Sequence, residues 1–199
     1  IVFILFLLSA IIDQFYGLHP VYRLIIQITL VFISLSTIHF PITEFLPLKL
    51  EYLLVLYFWV YIINTTNFID GTDGMMSVTN LNLYFNILLF SFLTNKYSVA
   101  YEMSLLLIPI SLIFLIFFNF PKAKMFIGDT GSIPIGFING FLLFSLISDG
   151  ELILAFAIFS YPIIDVTITL FIKTIIKREL PWSRLYDYFF LKPVIHNGK

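Results

Sequence analysis

Two short stretches carry the residue types that handle phosphate and cations. In "NFIDGTDG", Asn67, Asp70 and Asp73 recur at i, i+3 and i+6, so one helical turn would bring them towards one side. Gly71 and Gly74 permit close backbone approach or a positive φ at a helix end. Two carboxylates beside so apolar a sequence suit a cation, a positively charged partner or a polar substrate. The alternative is an Asx-rich turn that caps a helix starting near Met75. In "FNFPKAKMFIGDTGS", Gly128, Thr130, Gly131 and Ser132 sit where a helix begins, and their N–H groups and hydroxyls can cradle phosphate oxygens. Asp129 repels a phosphate unless a divalent metal bridges the two, so the combination points to metal plus diphosphate. No Gly-Lys-Ser/Thr follows at Walker spacing. A plain helix start with Ser or Thr as its cap is the competing reading.

Two further acids stand near these stretches in type. Asp13 closes the first apolar run and reads equally as a boundary carboxylate. Asp165 lies inside an apolar run, three residues after Pro162, where an acid costs about 2.5–3.5 kcal/mol on insertion scales and calls for a functional or packed polar role. A kink at Pro162 can open a pocket there. The three histidines have no metal-ligand spacing, and no Ser-His-Asp arrangement can be built from them. Cysteine is absent, which removes disulfides, thiolate nucleophiles and Cys metal sites.

The elements that position these residues are membrane helices. Of 199 residues 60% are hydrophobic and only 12% charged, and mean hydropathy is +1.00, a balance that excludes an ordinary soluble globule. A net charge of −1 implies no attraction to nucleic acid. Seven apolar stretches approach the length a bilayer demands, at about 1–12, 21–38, 45–63, 75–93, 99–118, 132–147 and 152–172. None alternates as a barrel strand does, so the expected fold is an all-α polytopic transmembrane bundle of about seven spans. The first stretch is short and reads as the tail of a helix that begins earlier. Loops on one side carry Arg23, Lys122, Lys124, Lys173, Lys177, Arg178, Arg184, Lys192 and Lys199, nine of the eleven basic residues; the other side has Lys49 and Lys96. That split assigns the first group, and every polar motif, to the cytoplasm.

With the motifs in this order, "IIDQFYGLHPVYRLIIQ", "NFIDGTDGM", "FNFPKAKMFIGDTGSIPIGF" and "YPIID", the chain resembles the polyprenyl-phosphate N-acetylhexosamine-1-phosphate transferases, glycosyltransferase family 4, which include the phospho-MurNAc-pentapeptide translocase. The resemblance implies transfer of a sugar 1-phosphate, GlcNAc-1-phosphate above all, from a UDP-N-acetylhexosamine to undecaprenyl phosphate, releasing UMP and initiating a cell-surface polysaccharide. It implies a Mg²⁺ requirement, with Mn²⁺ as an alternative, and a place in the bacterial inner membrane; it leaves room for a homodimer. By motif, Asp129 resembles the magnesium-binding aspartate. Asn67, Asp70 and Asp73 resemble the polar face of a loop, with Gly71, Thr72, Asp73 and Phe126 in positions similar to those that hold uridine. Asn119 matches a further active-site asparagine, and Asp13 the first member of an Asp-Asp pair. Residues 1–172 then form the membrane-embedded transferase core and 173–199 a basic cytoplasmic tail.

Three departures accompany the resemblance. The second acid of the pair is Gln14, which cannot neutralise a metal. The family's first spans, with their Asp-Gly-Pro and Arg-Lys features, have no counterpart. A His-rich motif after the Pro-x-x-Asp helix is reduced to His196, which favours a sugar-transferase branch over the peptidoglycan translocase. An inactive remnant or split subunit is the rival reading. A small-solute transporter is weaker, because the acids gather at one face instead of near the bilayer midplane.

Overall fold

The computed structural model describes residues 2–38, 46–71, 73–96, 98–120, 122, 124–176 and 178. Among these the structure is helical: α1 (Val2–Tyr16), α2 (Pro20–Ser34), α3 (Leu48–Ile69), α4 (Met75–Thr94), α5 (Val99–Phe114), α6 (Asp129–Ser148) and α7 (Leu152–Phe171). In hydrocarbon, backbone polar groups must find partners within their own segment, which is why uniformly apolar runs become helices. Among the described residues six helices are long and apolar enough to cross a membrane, from Pro20–Thr37 to Leu152–Ile176, and Val2–Asp13 is a shorter apolar helix.

Several boundaries differ from those the hydropathy predicts. α3 runs to Ile69, six residues beyond 63, so Asn64 and Asn67 are helical and not part of a loop. α6 begins at Asp129 instead of 132. The last helix passes 172 through a π turn, Ile172–Ile176, and Lys173, the first residue of the expected basic tail, is buried there. Basic residues Lys177, Arg184, Lys192 and Lys199 lie outside the described residues.

α6 is the centre of the bundle. It is buried along most of its length and makes its largest contact with α3 and its next with α1. Gly136 and Gly140, spaced as G-x-x-x-G, let α3 come close enough that a Cβ at 136 would stand 2.7 Å from the Ile63 Cα, and one at 140 would stand 2.2 Å from Trp59 Cδ1. Trp59 fills the space so opened, stacking on Phe137 at 5.3 Å and donating Nε1–H to the Phe137 carbonyl at 3.0 Å. Deeper in the bundle, Tyr84 of α4 donates to Asn139 Oδ1 at 3.0 Å and the Asn139 amide donates to Asn80 Oδ1 at 2.9 Å. These interhelical bonds supply direction where lipid gives helices little hydrophobic drive to associate. A small cavity beside Pro162 is lined by Thr65, Thr66, Asn80 and Asn139, among others, but not by Asp165.

Alternating helices bring the C-termini of α1, α3 and α5 to one end, with the N-termini of α2, α4 and α6. At the opposite end Lys96, in the α4–α5 turn, pairs with Glu151 in the α6–α7 turn.

Candidate active site

The α1–α2 turn is built around Asp13. Its Oδ1 accepts the Leu18 N–H at 2.8 Å and its carbonyl accepts the Gly17 N–H, also at 2.8 Å, so the chain reverses immediately and α2 starts at Pro20. Arg23, one turn into α2, points back: Nε lies 2.9 Å from Asp13 Oδ2, and Nη1 donates to Asp129 Oδ2 at 2.6 Å. One guanidinium therefore bridges two carboxylates from opposite parts of the chain, with two donors that its planar fork holds in fixed directions. Asp13 is buried, whereas Arg23 and Asp129 each keep about a third of their side-chain surface exposed, at 35% and 33%. Arg23 does not figure among the chemistry-bearing residues picked out by type and spacing. Its signal in the sequence is a lone Arg near the start of an apolar run, at the same end as Asp13.

The end of α3 holds the start of α6. Asp70, the C-cap of α3, accepts the Gly128 N–H at 2.7 Å and the Ile127 N–H at 3.2 Å. The Gly128 N–H, one of the backbone donors that the sequence offers to phosphate oxygens, is thus occupied by Asp70, together with the neighbouring Ile127 N–H. Asn67, one turn earlier, is bonded to the Ser132 hydroxyl, which also lies 2.9 Å from the Gly128 carbonyl. Among the described residues neither α4 nor α6 is capped by a side chain; Gly74 and Gly128 precede them, both with positive φ. Asp129 opens α6 at the positive end of its dipole, a position that suits a carboxylate.

A third strap comes from α5. Its last turn widens into a π turn, Leu115–Asn119, which carries Asn119 inward until it is 1% exposed. Asn119 accepts the Gly74 N–H at 2.8 Å, and its amide donates to the Met125 carbonyl at 3.3 Å. Asp73 has left the helical face that Asn67 and Asp70 begin, because α3 ends at Ile69, and it stands exposed in the turn. Phe126 is also exposed, at 44%, and Gly71 is half-buried. Thr72 lies outside the described residues. Asp165 is buried in α7, and among the described residues none of the site's hydrogen bonds reaches it.

Burial pushes the Asp70 carboxyl up to about 6; the Gly128 and Ile127 N–H groups pull the other way, and the Asp129 charge adds to the rise. Metal fit can be judged from the donors. Among the described residues no group of three or more His, Cys, Asp or Glu could by itself hold a metal. Mg²⁺ commonly needs only one or two carboxylates together with substrate phosphates. Asp129 offers one: Oδ2 is shared with Arg23, Oδ1 has no hydrogen bond among the described residues, and the side chain is a third exposed. That donor set fits a metal brought in with a diphosphate.

Comparison with known proteins gives the arrangement its context. The family model described as glycosyl transferase family 4 matches residues 1–147. The phospho-N-acetylmuramoyl-pentapeptide-transferase of Dictyoglomus turgidum is 30% identical over 207 aligned positions, covering 95% of this chain and 66% of that protein. The protein of the same name from Nautilia profundicola is 25% identical over 187, covering 83% of this chain and 52% of its own. The chain therefore spans between half and two thirds of the length of these relatives. They carry the name of the branch that the reduced His motif argues against. No solved structure matches. With the family model covering well over half of the sequence, and its polar motifs drawn together at one end of the helical bundle, the chain belongs to glycosyl transferase family 4.

Proposed function

We propose that the protein transfers an N-acetylhexosamine 1-phosphate, GlcNAc-1-phosphate first, from a UDP-sugar to undecaprenyl phosphate, giving a lipid-diphosphate sugar and UMP. The observation that carries the reading is the Asp13–Arg23–Asp129 bridge, with Asp129 at the mouth of α6 and Asp70 holding the turn before it. An oxygen of the lipid phosphate bonds to the β-phosphorus of the UDP-sugar. The bond from that phosphorus to the bridging oxygen breaks, and UMP leaves with the bridging oxygen. A phosphate monoester is largely ionised near neutral pH, so a strong base is not required. Arg23 orients Asp129 and offsets negative charge where two phosphate-bearing substrates meet. Mg²⁺, or Mn²⁺ in its place, would be held by Asp129 and would offset the charge on the departing UMP. Asp73 in the α3–α4 turn and Phe126 in the segment before α6, both exposed, are available to the nucleotide.

The bundle end that carries these residues faces the cytoplasm of a bacterial inner membrane on this reading, supported by the nine-to-two division of basic residues. A reporter fused at Asp149 should read as extracytoplasmic and one at Lys122 as cytoplasmic.

The names of the relatives favour a second donor, UDP-MurNAc-pentapeptide. Membranes containing the chain, supplied with undecaprenyl phosphate and Mg²⁺, are to be assayed with each donor for lipid-linked product and for exchange of labelled UMP. Product from UDP-GlcNAc alone supports the first donor, and product from the pentapeptide donor alone the second. Absence of product from both, with Asp129→Asn identical to the parent, returns the protein to the remnant reading.

A further inference from the structure

The end of the bundle away from the candidate active site holds a cavity of about 350 Å³. Among the described residues it is lined by the last residues of the α2 arm, Thr37 and Ile38, by the start of α5 and by the end of α6. Phe141, two turns before Ser148 on α6, lines it deeper in the bundle. Its wall therefore passes from polar, where the helices end, to apolar towards the middle of the span.

Several polar groups around this cavity are unspent. The Ser148 hydroxyl oxygen, on the cavity wall, is buried and has no hydrogen-bond partner among the described residues. A buried oxygen in that state calls for a donor from outside the chain. Asp149 beside it is exposed and forms no ion pair among the described residues, whereas Lys96 and Glu151 at the same end pair with each other. Across the cavity Ser98 precedes α5, and its hydroxyl does not cap the helix. Among the described residues the Val99 and Ala100 N–H groups of that first turn have no acceptor, although Ala100 is 0% exposed.

The two sides of the cavity carry opposite polarity. α5 presents the positive end of its dipole and free donors; α6 presents the negative end of its own, reinforced by Asp149. An anion alone is repelled by Asp149, and a cation alone leaves the α5 donors unmatched. We propose that the cavity binds the headgroup of a zwitterionic membrane lipid, phosphatidylethanolamine, apart from the site of the transfer reaction. Its phosphate oxygens accept from the α5 first turn and the Ser98 hydroxyl. Its primary ammonium has three N–H donors for the Asp149 carboxylate and Ser148 Oγ. Ile38, Val99 and Phe141 face the start of the acyl chains, which a water-soluble phosphoethanolamine lacks. On the orientation proposed above, this end meets the outer leaflet.

The full chain in detergent is mixed with equal amounts of phosphatidylethanolamine, phosphatidylcholine and phosphatidylglycerol of one acyl composition, and bound lipid is counted by native mass spectrometry. Phosphatidylcholine keeps both charges but has no N–H donor, and phosphatidylglycerol has no cation. The ethanolamine lipid should bind about tenfold more than either. Asp149→Asn and Ser148→Ala should each bring that preference close to one while thermal unfolding without lipid stays near the parent's. Lys122→Gln, exposed at the other end of the bundle, should leave the preference intact. Equal binding of the three lipids by the parent, a preference that survives Asp149→Asn, or displacement by free phosphoethanolamine at the lipid's own concentration would each overturn the proposal.

Discussion

Arg23 Nη1 donates to Asp129 Oδ2 across 2.6 Å, joining residues 106 positions apart, while its Nε lies 2.9 Å from Asp13 Oδ2. The bridge sets where Asp129 points. Arg23→Lys keeps the charge but replaces two donors in a fixed plane with a single point charge on a flexible stem, and Arg23→Gln removes it. A charge-assisted hydrogen bond contributes about 1.5–3 kcal/mol, so the proposed transfer should fall roughly tenfold to a hundredfold in Arg23→Gln and less in Arg23→Lys. Initial rates against Mg²⁺ concentration provide the check: Arg23→Lys should need more metal for half-maximal rate.

Asp70 spends both oxygens on the N–H groups of Ile127 and Gly128, which makes it a positioning residue by its contacts. Asp70→Asn presents an NH₂ to one of those donors and leaves it unmatched, at a cost of about 1–3 kcal/mol. Thermal unfolding in detergent should show that loss, together with loss of transfer. Asp129→Asn should lose transfer with a smaller loss of thermal stability, because the amide oxygen can still accept from Arg23 Nη1 while the charge is gone.

The same carboxyl makes stability depend on pH. With its pKa raised from 3.8 to about 6, folded Asp70 binds more protons than unfolded Asp70 between those values. Its contribution is full below 3.8 and is lost as pH rises through about 6. Unfolding temperatures measured from pH 4 to 7 should carry a downward component that Asp70→Asn abolishes.

Gly140→Ala drives a methyl group into Trp59, since the added Cβ would lie 2.2 Å from Cδ1. Overpacking of this kind costs about 1–3 kcal/mol. The unfolding temperature should fall, and Trp59→Leu in the Gly140→Ala background should recover part of it. Equal stability of Gly140→Ala and the parent would mean that α3 and α6 do not approach as closely as described.

Asn119 is the buried acceptor for the Gly74 N–H. Asn119→Ala leaves that donor unmatched and frees the α3–α4 turn from the 119–125 segment, at about 1–3 kcal/mol. Hydrogen exchange at Gly74 should speed up by one to two orders of magnitude, while exchange along α6 stays slow.

Local composition carried most of the architecture, because a bilayer admits few solutions for an apolar run of about 20 residues. The helical class, the number of spans and the alternation of ends follow from hydropathy alone, and the polar types at 67–74 and 119–132 mark the site end. Boundaries were less legible: α3 continues through Asn64 and Asn67 because an asparagine whose amide meets Gln27 and the Val60 carbonyl does not end a helix.

What only the tertiary structure decided is which polar groups meet. Spacing along one helix places Asn67, Asp70 and Asp73 together, yet α3 stops at Ile69 and Asp73 turns outward. A phosphate cradle is readable in "GDTGS", whereas the assignment of two nearby donors to Asp70 is not. Arg23 reads as one more basic boundary residue until α1, α2 and α6 converge. Hydropathy is a sum over neighbours in sequence, but hydrogen bonds and ion pairs depend on distances of about 3 Å between residues remote in the chain, and those exist only once the helices have packed.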